Sequence, residues 1–285
     1  MKAMRKIIFT LVLVICCSIT AQNKVTILHT NDTHSCIEPE RNGGAGALNR
    51  ALLIEHIADS VGKENLLLLD CGDFSQGSLY YNCFKGSTEV EIMNAMGYDA
   101  GTIGNHELDY GLDNFARLVK MAEFEVLCAN YDFTGTVCEG LVKPYTIIER
   151  GGKKIGIFGL SPDPRGLVSQ ENYTGIKFLS PVEAANTCVT ELKKAGCDAI
   201  VCLSHLGWKI KNEYNDERLV AETSGIDVIL GGHSHDYFEK PIIYKNRDGK
   251  DVIMQQMGKN GRQRGCGTLS FSAGDVLNNV TTVIY

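Results

Sequence analysis

Five short stretches concentrate the side chains that can hold a metal ion or move a proton: Asp32-Thr33-His34, Gly72-Asp73, Gly104-Asn105-His106-Glu107, His205, and Gly232-His233-Ser234-His235. Five of the chain's seven histidines fall there, leaving only His29 and His56 outside. Asp32 and His34 lie two residues apart, and side chains at that spacing in extended chain project to one side, so the pair can chelate a single ion. Asp73 follows a glycine on a tight turn, where the two oxygens of one carboxylate can bridge two cations about 3.5–4 Å apart. Asn105 offers a neutral amide oxygen, which binds a cation without adding charge that would repel an anionic substrate. His205, His233 and His235 supply imidazoles from distant points in the chain, and the alternation in His233-Ser234-His235 allows both rings to face one cluster. Mixed carboxylate, amide and imidazole donors suit two divalent ions, and Zn, Mn, Fe or Co all remain open.

Each piece alone has an ordinary reading. A histidine at a strand end is commonly a satisfied polar residue, and Gly-Asp is common turn chemistry. What separates this chain from that background is the order of the pieces, because each directly follows a strand-like run. Val25 to His29, Leu66 to Asp70, Ala100 to Ile103, Ala199 to Leu203 and Val228 to Leu230 are short apolar runs of the kind that form buried strands. Amphipathic stretches alternate with them. Ala47, Leu48, Ala51, Leu52, Ile54 and Ile57 form a stripe at helical spacing behind a glycine-rich loop at Gly43 to Gly46. Thr88 to Met96, Leu112 to Ala122 and Asp216 to Thr223 read as further helices. Pro181 to Ala195 reads as another, with Ser180 as its cap and proline at its first position. Glu125 to Cys128 is strand-like, and Tyr145 to Glu149 with Lys154 to Leu160 flank Gly151-Gly152 as a hairpin. Beyond Pro241 the chain turns strand-rich, with Val252 to Gln256 and Thr268 to Ser272 the clearest runs. This alternation predicts an α/β domain, and ligands in such sheets bind outside the carboxyl ends of the strands, where all five stretches fall.

The chain has 285 residues, 44% hydrophobic and 22% charged, enough for one large core, and residues 22–285 read as a single domain. A formal charge of −6 gives no basic footprint for duplex nucleic acid, although bound cations can reverse the local field for a small anion. Lys2, Arg5 and Lys6 precede the apolar run Ile7 to Cys17, and Thr20-Ala21 offers a small residue for cleavage. Residues 1–21 therefore read as a signal peptide, and the mature chain is expected to be exported, periplasmic or secreted, without a transmembrane segment. Cys16-Cys17 raises a lipoprotein alternative. Of eleven cysteines, nine lie beyond that leader. Cys71, Cys128 and Cys202 sit in apolar runs as small hydrophobes, while Cys128 with Cys138, or Cys188 with Cys197, are possible bridges whose connectivity the sequence leaves open. Trp208 and Tyr80-Tyr81 read as packing or surface aromatics, and Lys209 to Lys211 as a solvated face. The N-x-T triplets at Asn31, Asn172 and Asn279 carry no weight.

The motif series resembles the calcineurin-like metallophosphoesterases. His29-Thr30-Asn31-Asp32-Thr33-His34 and Gly104-Asn105-His106-Glu107-Leu108-Asp109-Tyr110-Gly111 resemble their 5'-nucleotidase and UDP-sugar hydrolase branch. The resemblance implies a four-layer αββα sandwich, two mixed β-sheets packed face to face with helices outside. It implies one ion held by Asp32, His34, Asp73 and His235, and a second held by Asp73, Asn105, His205 and His233. It further implies a catalytic His106 oriented by Asp109, with Asn105 and His106 touching the substrate. The expected activity is hydrolysis of a small phosphoester such as a nucleoside 5'-monophosphate, by metal-activated water attacking phosphorus. Members of this branch continue into a second domain that grips the nucleoside, whereas this sequence ends at Tyr285. Either a separately encoded domain completes recognition, or the phosphate alone suffices. The same ligand set also allows a sulfur-ester (thiosulfate-ester) hydrolase, and a metal-stabilised subunit without turnover is the non-enzymatic alternative.

Overall fold

The computed structural model describes residues 24–39, 46–211, 214–272 and 275–284, with residues 272 and 275–284 as backbone only. The expected leader at 1–21 and most of the glycine-rich loop at 43–46 lie outside the described residues. Two six-stranded sheets carry the fold. In the first, β1 (Lys24–Thr30), β2 (Leu66–Asp70), β3 (Ala100–Thr102) and β4 (Glu125–Leu127) run parallel, with Ile27 opposite Leu67. In the second, the hairpin β6 (Tyr145–Arg150) and β7 (Lys153–Leu160) leads through β9 (Ala199–Ser204) to β10 (Val228–Leu230), with β7, β9 and β10 parallel. β5 (Tyr131–Asp132) pairs with β8 (Lys177–Phe178) as a separate two-stranded ribbon. Further strands extend each large sheet, and antiparallel pairs make both mixed. β12 (Asp251–Gln255) joins β10 in parallel and β11 (Ile242–Lys245) pairs antiparallel outside it, while β13 (Gln263–Ser272) borders β1 and β14 (Asp275–Ile284) lies outside β13, both antiparallel.

Strand parity decides the layers. Successive side chains of a strand face opposite sides, so Val25 and Ile27 of β1 and Leu67 and Leu69 of β2 point one way. They meet Ile155, Ile157, Val201, Leu203, Val228 and Leu230 of the other sheet in a dry sandwich core. The intervening Leu28, Leu66 and Leu68 face α1 (Ala47–Val61) and α3 (Ser87–Met96) through Leu53, Ile54, Ile57, Val90 and Met93. Phe158, Ile200, Cys202 and Ile229 face α5 (Pro181–Lys194) and α6 (Asp216–Glu222) through Ala185, Cys188, Val189, Leu192, Leu219 and Val220. Helices, sheet, sheet and helices thus form the expected four layers. Strands buried on both faces have no polar alternation, which is why they read as continuous apolar runs.

Helix ends follow their local chemistry. Ser180 Oγ accepts from the Glu183 N–H and Pro181 begins α5, whose last turn carries Lys193 and Lys194 where cations suit the helix dipole. Asn215 caps α6 in the same way through the Arg218 N–H. A short helix α2 (Leu79–Phe84), unpredicted by periodicity because six residues make less than two turns, precedes α3, and α4 (Gly111–Met121) follows β3. Cys128, Cys138, Cys188 and Cys197 are free thiols, so neither possible bridge is formed. Cys128 Sγ instead meets Asn130 and Ser161, and Cys138 Sγ meets the Leu112 carbonyl. No helix among the described residues is long and apolar enough to cross a membrane.

Candidate metal centre

The loops leaving β1, β2, β3, β9 and β10 converge on one edge of the sandwich. Their side chains form three overlapping donor groups: Asp32, His34 and His235; His34, Asp73 and His106; and Asp73, His205 and His233. Within the first, His34 Nε2 and His235 Nε2 stand 3.0 Å apart, and Asp32 Oδ1 lies 3.3 Å from His235 Nε2 and 3.8 Å from His34 Nε2. Within the third, His205 Nε2 is 3.0 Å from Asp73 Oδ2. Asp73 therefore belongs to two groups, and Asp32 Oδ1, 3.9 Å from His205 Nε2, reaches toward the third.

The local route to this arrangement differs from the extended chain that the two-residue spacing suggested. Asp32, His34, Asp73, His233 and His235 all have left-handed backbones, with φ of 47°, 45°, 53°, 68° and 58°. Such conformations are strained for residues bearing a Cβ and persist where the surroundings impose them, often at functional sites. The approach of the Asp32 and His34 side chains comes from a turn, not from strand alternation. For the same reason His233 and His235 do not face one cluster: they diverge, His233 toward Asp73 and His205, and His235 toward Asp32 and His34.

Close approach of the loops requires glycine at two places. Gly72 has φ of 87° and no room for a Cβ against the Gly104 N–H. A Cβ on Gly104 would collide with the Asp73 carboxylate. Glu107, 1% exposed, holds these two loops together, accepting from the N–H groups of Asp73 (3.0 Å), Ser75 (3.1 Å) and Gly104 (2.7 Å). Asn31 holds the opposite side: its amide donates to Asp32 Oδ2 (2.7 Å) and the Gly258 carbonyl (2.8 Å), and it accepts from the Met257 N–H (2.9 Å). The His233 N–H donates to Asp32 Oδ2 at 2.9 Å. In the sequence Glu107 and Asn31 stand only as letters of motifs, since neither has a ligand's position. Their adjacency to Asn105-His106 and to Asp32 was the available signal.

Burial and mutual charge shape the electrostatics. Burial opposes charging of Asp73, but His205 and His106 beside it outweigh that and hold its carboxyl well below the usual range. His205 is also buried, yet the Asp73 and Asp32 carboxylates push it up to about 10. Burial and the neighbouring His205 lower His233 to about 4. Burial, then repulsion from Asp73, raises Glu107 to about 7.

These residues fit a pair of cations. Asn105 Oδ1 is buried without a hydrogen-bond partner, a costly state for a polar atom. His205 Nδ1 donates to the Cys71 carbonyl at 2.6 Å, which leaves Nε2, facing Asp73, as the atom that would take a cation in place of its proton, as in metal-binding imidazoles. The facing nitrogens of His34 and His235 need a cation or a proton between them.

His106 stands above this floor, its Nδ1 2.8 Å from Asp109 Oδ2. Two further contacts brace the dyad: Tyr81 Oη donates to the His106 carbonyl at 3.0 Å, and the Asn172 amide donates to the Asp109 carbonyl at 2.7 Å. His34, His106 and His235 line the base of an open cleft of about 550 Å³. His29 and His56 lie elsewhere, as expected: His29 is enclosed between the sheets and His56 is exposed on α1. Trp208 packs edge-on against Phe238 and Tyr244.

Comparison with known proteins agrees with this geometry. The chain is 31% identical over 268 residues to a snake venom 5'-nucleotidase of Gloydius brevicauda, covering 85% of this chain and 44% of that relative. It is 30% identical over 284 residues to a 5'-nucleotidase of Rattus norvegicus, covering 91% of this chain and 48% of that relative. The chain thus spans about half the length of the curated relatives it matches. A 5'-nucleotidase precursor from Thermus thermophilus superposes with a TM-score of 0.83 at 33% identity, over 92% of this chain and 54% of that one. Residues 25–237, which carry all five motif stretches, match the family model of the calcineurin-like phosphoesterases, and the chain belongs to that family.

Proposed function

We propose that Asp32, His34, Asp73 and His235 hold one divalent cation, and Asp73, Asn105, His205 and His233 a second. The site so formed hydrolyses phosphoesters, with nucleoside 5'-monophosphates the first substrates. The observation that carries this reading is the sharing of Asp73 between two donor groups directly below a His–Asp dyad. When bound, two such ions supply Lewis-acid charge for the phosphoryl oxygens and activation of the attacking water. The chain's own contribution is placement and proton transfer. His106 reaches the cleft with its Nδ1 tied to Asp109, so its Nε2 is left to donate to a phosphoryl oxygen or to the leaving alkoxide. Burial opposes protonation of His106, but Asp109 and Asp73 overcome it and raise its pKa, favouring the acid form that donation needs. Asn105 adds a neutral contact to the same phosphoryl group.

Elemental analysis of the purified protein is expected to give two ions per chain, with stoichiometric loss in Asp73→Asn and release of phosphate from nucleoside monophosphates only by the loaded wild type. Absence of stoichiometric metal from the wild type, or release of sulfate from a thiosulfate ester where no phosphate is released, would sink the assignment. We also read residues 22–285 as one catalytic domain behind an export signal. Amino-terminal sequencing of the protein recovered outside the cytoplasm is expected to begin at Gln22, and an intact leader on that protein would contradict this.

A further inference from the structure

The cleft above the metal-ligand floor has a second wall whose chemistry is not that of phosphate. Its outer part is formed by Ile37, Leu79 and Tyr80. Leu79 is 79% exposed and Tyr80 36% exposed, and neither joins any hydrophobic cluster of the core. Tyr80 has a fixed ring nonetheless: its hydroxyl donates to Glu38 Oε1 at 2.9 Å, tying α2 to the loop that carries His34. The helix itself is held from below. Tyr81, its neighbour, is buried and donates to the His106 carbonyl, while the Ser78 cap lies 2.5 Å from Ser35 Oγ. One tyrosine anchors α2 to the catalytic loop, and the next is displayed in the cleft at a set distance from it. Among the described residues Tyr80 joins no core cluster, and an aromatic ring tied by its hydroxyl at the wall of the cleft suits a planar ligand.

We propose that Tyr80, flanked by Ile37 and Leu79, is a stacking shelf for the base of a nucleotide whose phosphate lies against His106 and the ligand cluster. This rests on the phosphoester-hydrolase reading above and deepens it, since the chain itself then carries part of the leaving-group specificity. A base stacked on one protein aromatic contributes roughly 5- to 100-fold in affinity. Part of the preference for a nucleotide over a base-free phosphate should therefore reside in this ring.

The test compares kcat/KM for adenosine 5'-monophosphate with that for ribose 5-phosphate, which keeps the phosphate and sugar but lacks the base, using the full metal-loaded chain. The wild type is expected to favour the nucleotide by ~10-fold or more, and Tyr80→Ala to reduce that ratio by ~5- to 100-fold, most of the loss falling on the nucleotide. Tyr80→Phe keeps the ring and gives up the Glu38 bond, so it should retain most of the ratio. Tyr80→Leu, which keeps bulk without a π-face, should behave like the alanine variant and replaces it should that variant fold poorly. A ratio near one in the wild type, or one unchanged in Tyr80→Ala and Tyr80→Leu, overturns the shelf while leaving the hydrolase reading intact. Hydrolysis of neither ester would instead overturn the hydrolase reading, and the shelf with it.

Discussion

Glu107 offers the sharpest test of how the site is held together. Its carboxylate is 1% exposed and accepts three backbone N–H groups, two from the loop after β2 and one from the loop after β3. Glu107→Ala leaves three buried amides without an acceptor. Each costs about 1–3 kcal/mol, so the metal-free protein should lose about 3–6 kcal/mol after partial relaxation, a large share of the ~5–15 kcal/mol typical of a domain. Glu107→Gln behaves differently. It keeps an acceptor oxygen and removes a charge that burial and Asp73 already disfavour, as the rise of its pKa to about 7 shows. Its cost to the metal-free fold should be only about 1–2 kcal/mol. Loss of the charge and of loop alignment should instead appear as about 10- to 100-fold weaker metal binding, the usual effect of disturbing groups that orient ligands. Urea denaturation of chelator-treated protein measures the first quantity and calorimetric metal titration the second. Destabilisation below about 1 kcal/mol in Glu107→Ala, together with metal affinity unchanged in Glu107→Gln, would refute the claim that this carboxylate positions the site.

Gly104→Ala places a methyl group against the Asp73 carboxylate, and should lower metal stoichiometry while far-ultraviolet circular dichroism stays near wild type; full metal occupancy would show that the loops can part without cost. His29 is held neutral, burial lowering its pKa to about 3, whereas in the unfolded chain it titrates near 6.5. The unfolded state therefore gains the proton first, and the contribution of His29 to stability is complete above pH 6.5 and lost as pH falls from 6.5 toward 3. Between about pH 7 and about pH 5 this amounts to about 2 kcal/mol, seen as the difference between wild type and His29→Leu in denaturant titrations at the two values; parallel pH profiles would contradict it. Asn172→Ala removes the support of the Asp109 carbonyl and should lower kcat more than it raises KM, with metal content unchanged. Equal effects on both constants, or lost metal, would place Asn172 elsewhere in the site.

Most of the architecture was legible before any coordinates. Leu66 to Leu69 and Ala199 to Leu203 declared themselves as strands because residues covered on both faces must all be apolar, and Ser180-Pro181 declared a helix start through its capping chemistry. Short elements such as α2, β5 and β8 were not legible, since a turn and a half of helix or two residues of strand produce too little periodicity.

For the site, the sequence by itself determined which side chains are available and that they all follow strands, because ligand chemistry depends on residue type and the strand ends share one edge of an α/β sheet. The family resemblance implied a division of these donors between two ions, but the physical grounds for their grouping in space lie in the tertiary structure. His233 and His235 part company because both backbones are left-handed, and Asp73 joins two groups because Gly72 and Gly104 let its loop meet the loop after β3. The three amides on Glu107, the open ring of Tyr80 and the grip of Asn172 on Asp109 belong to the same class. Backbone dihedrals and backbone hydrogen bonds are settled by the packing of distant segments, and a string of side-chain identities does not encode them locally.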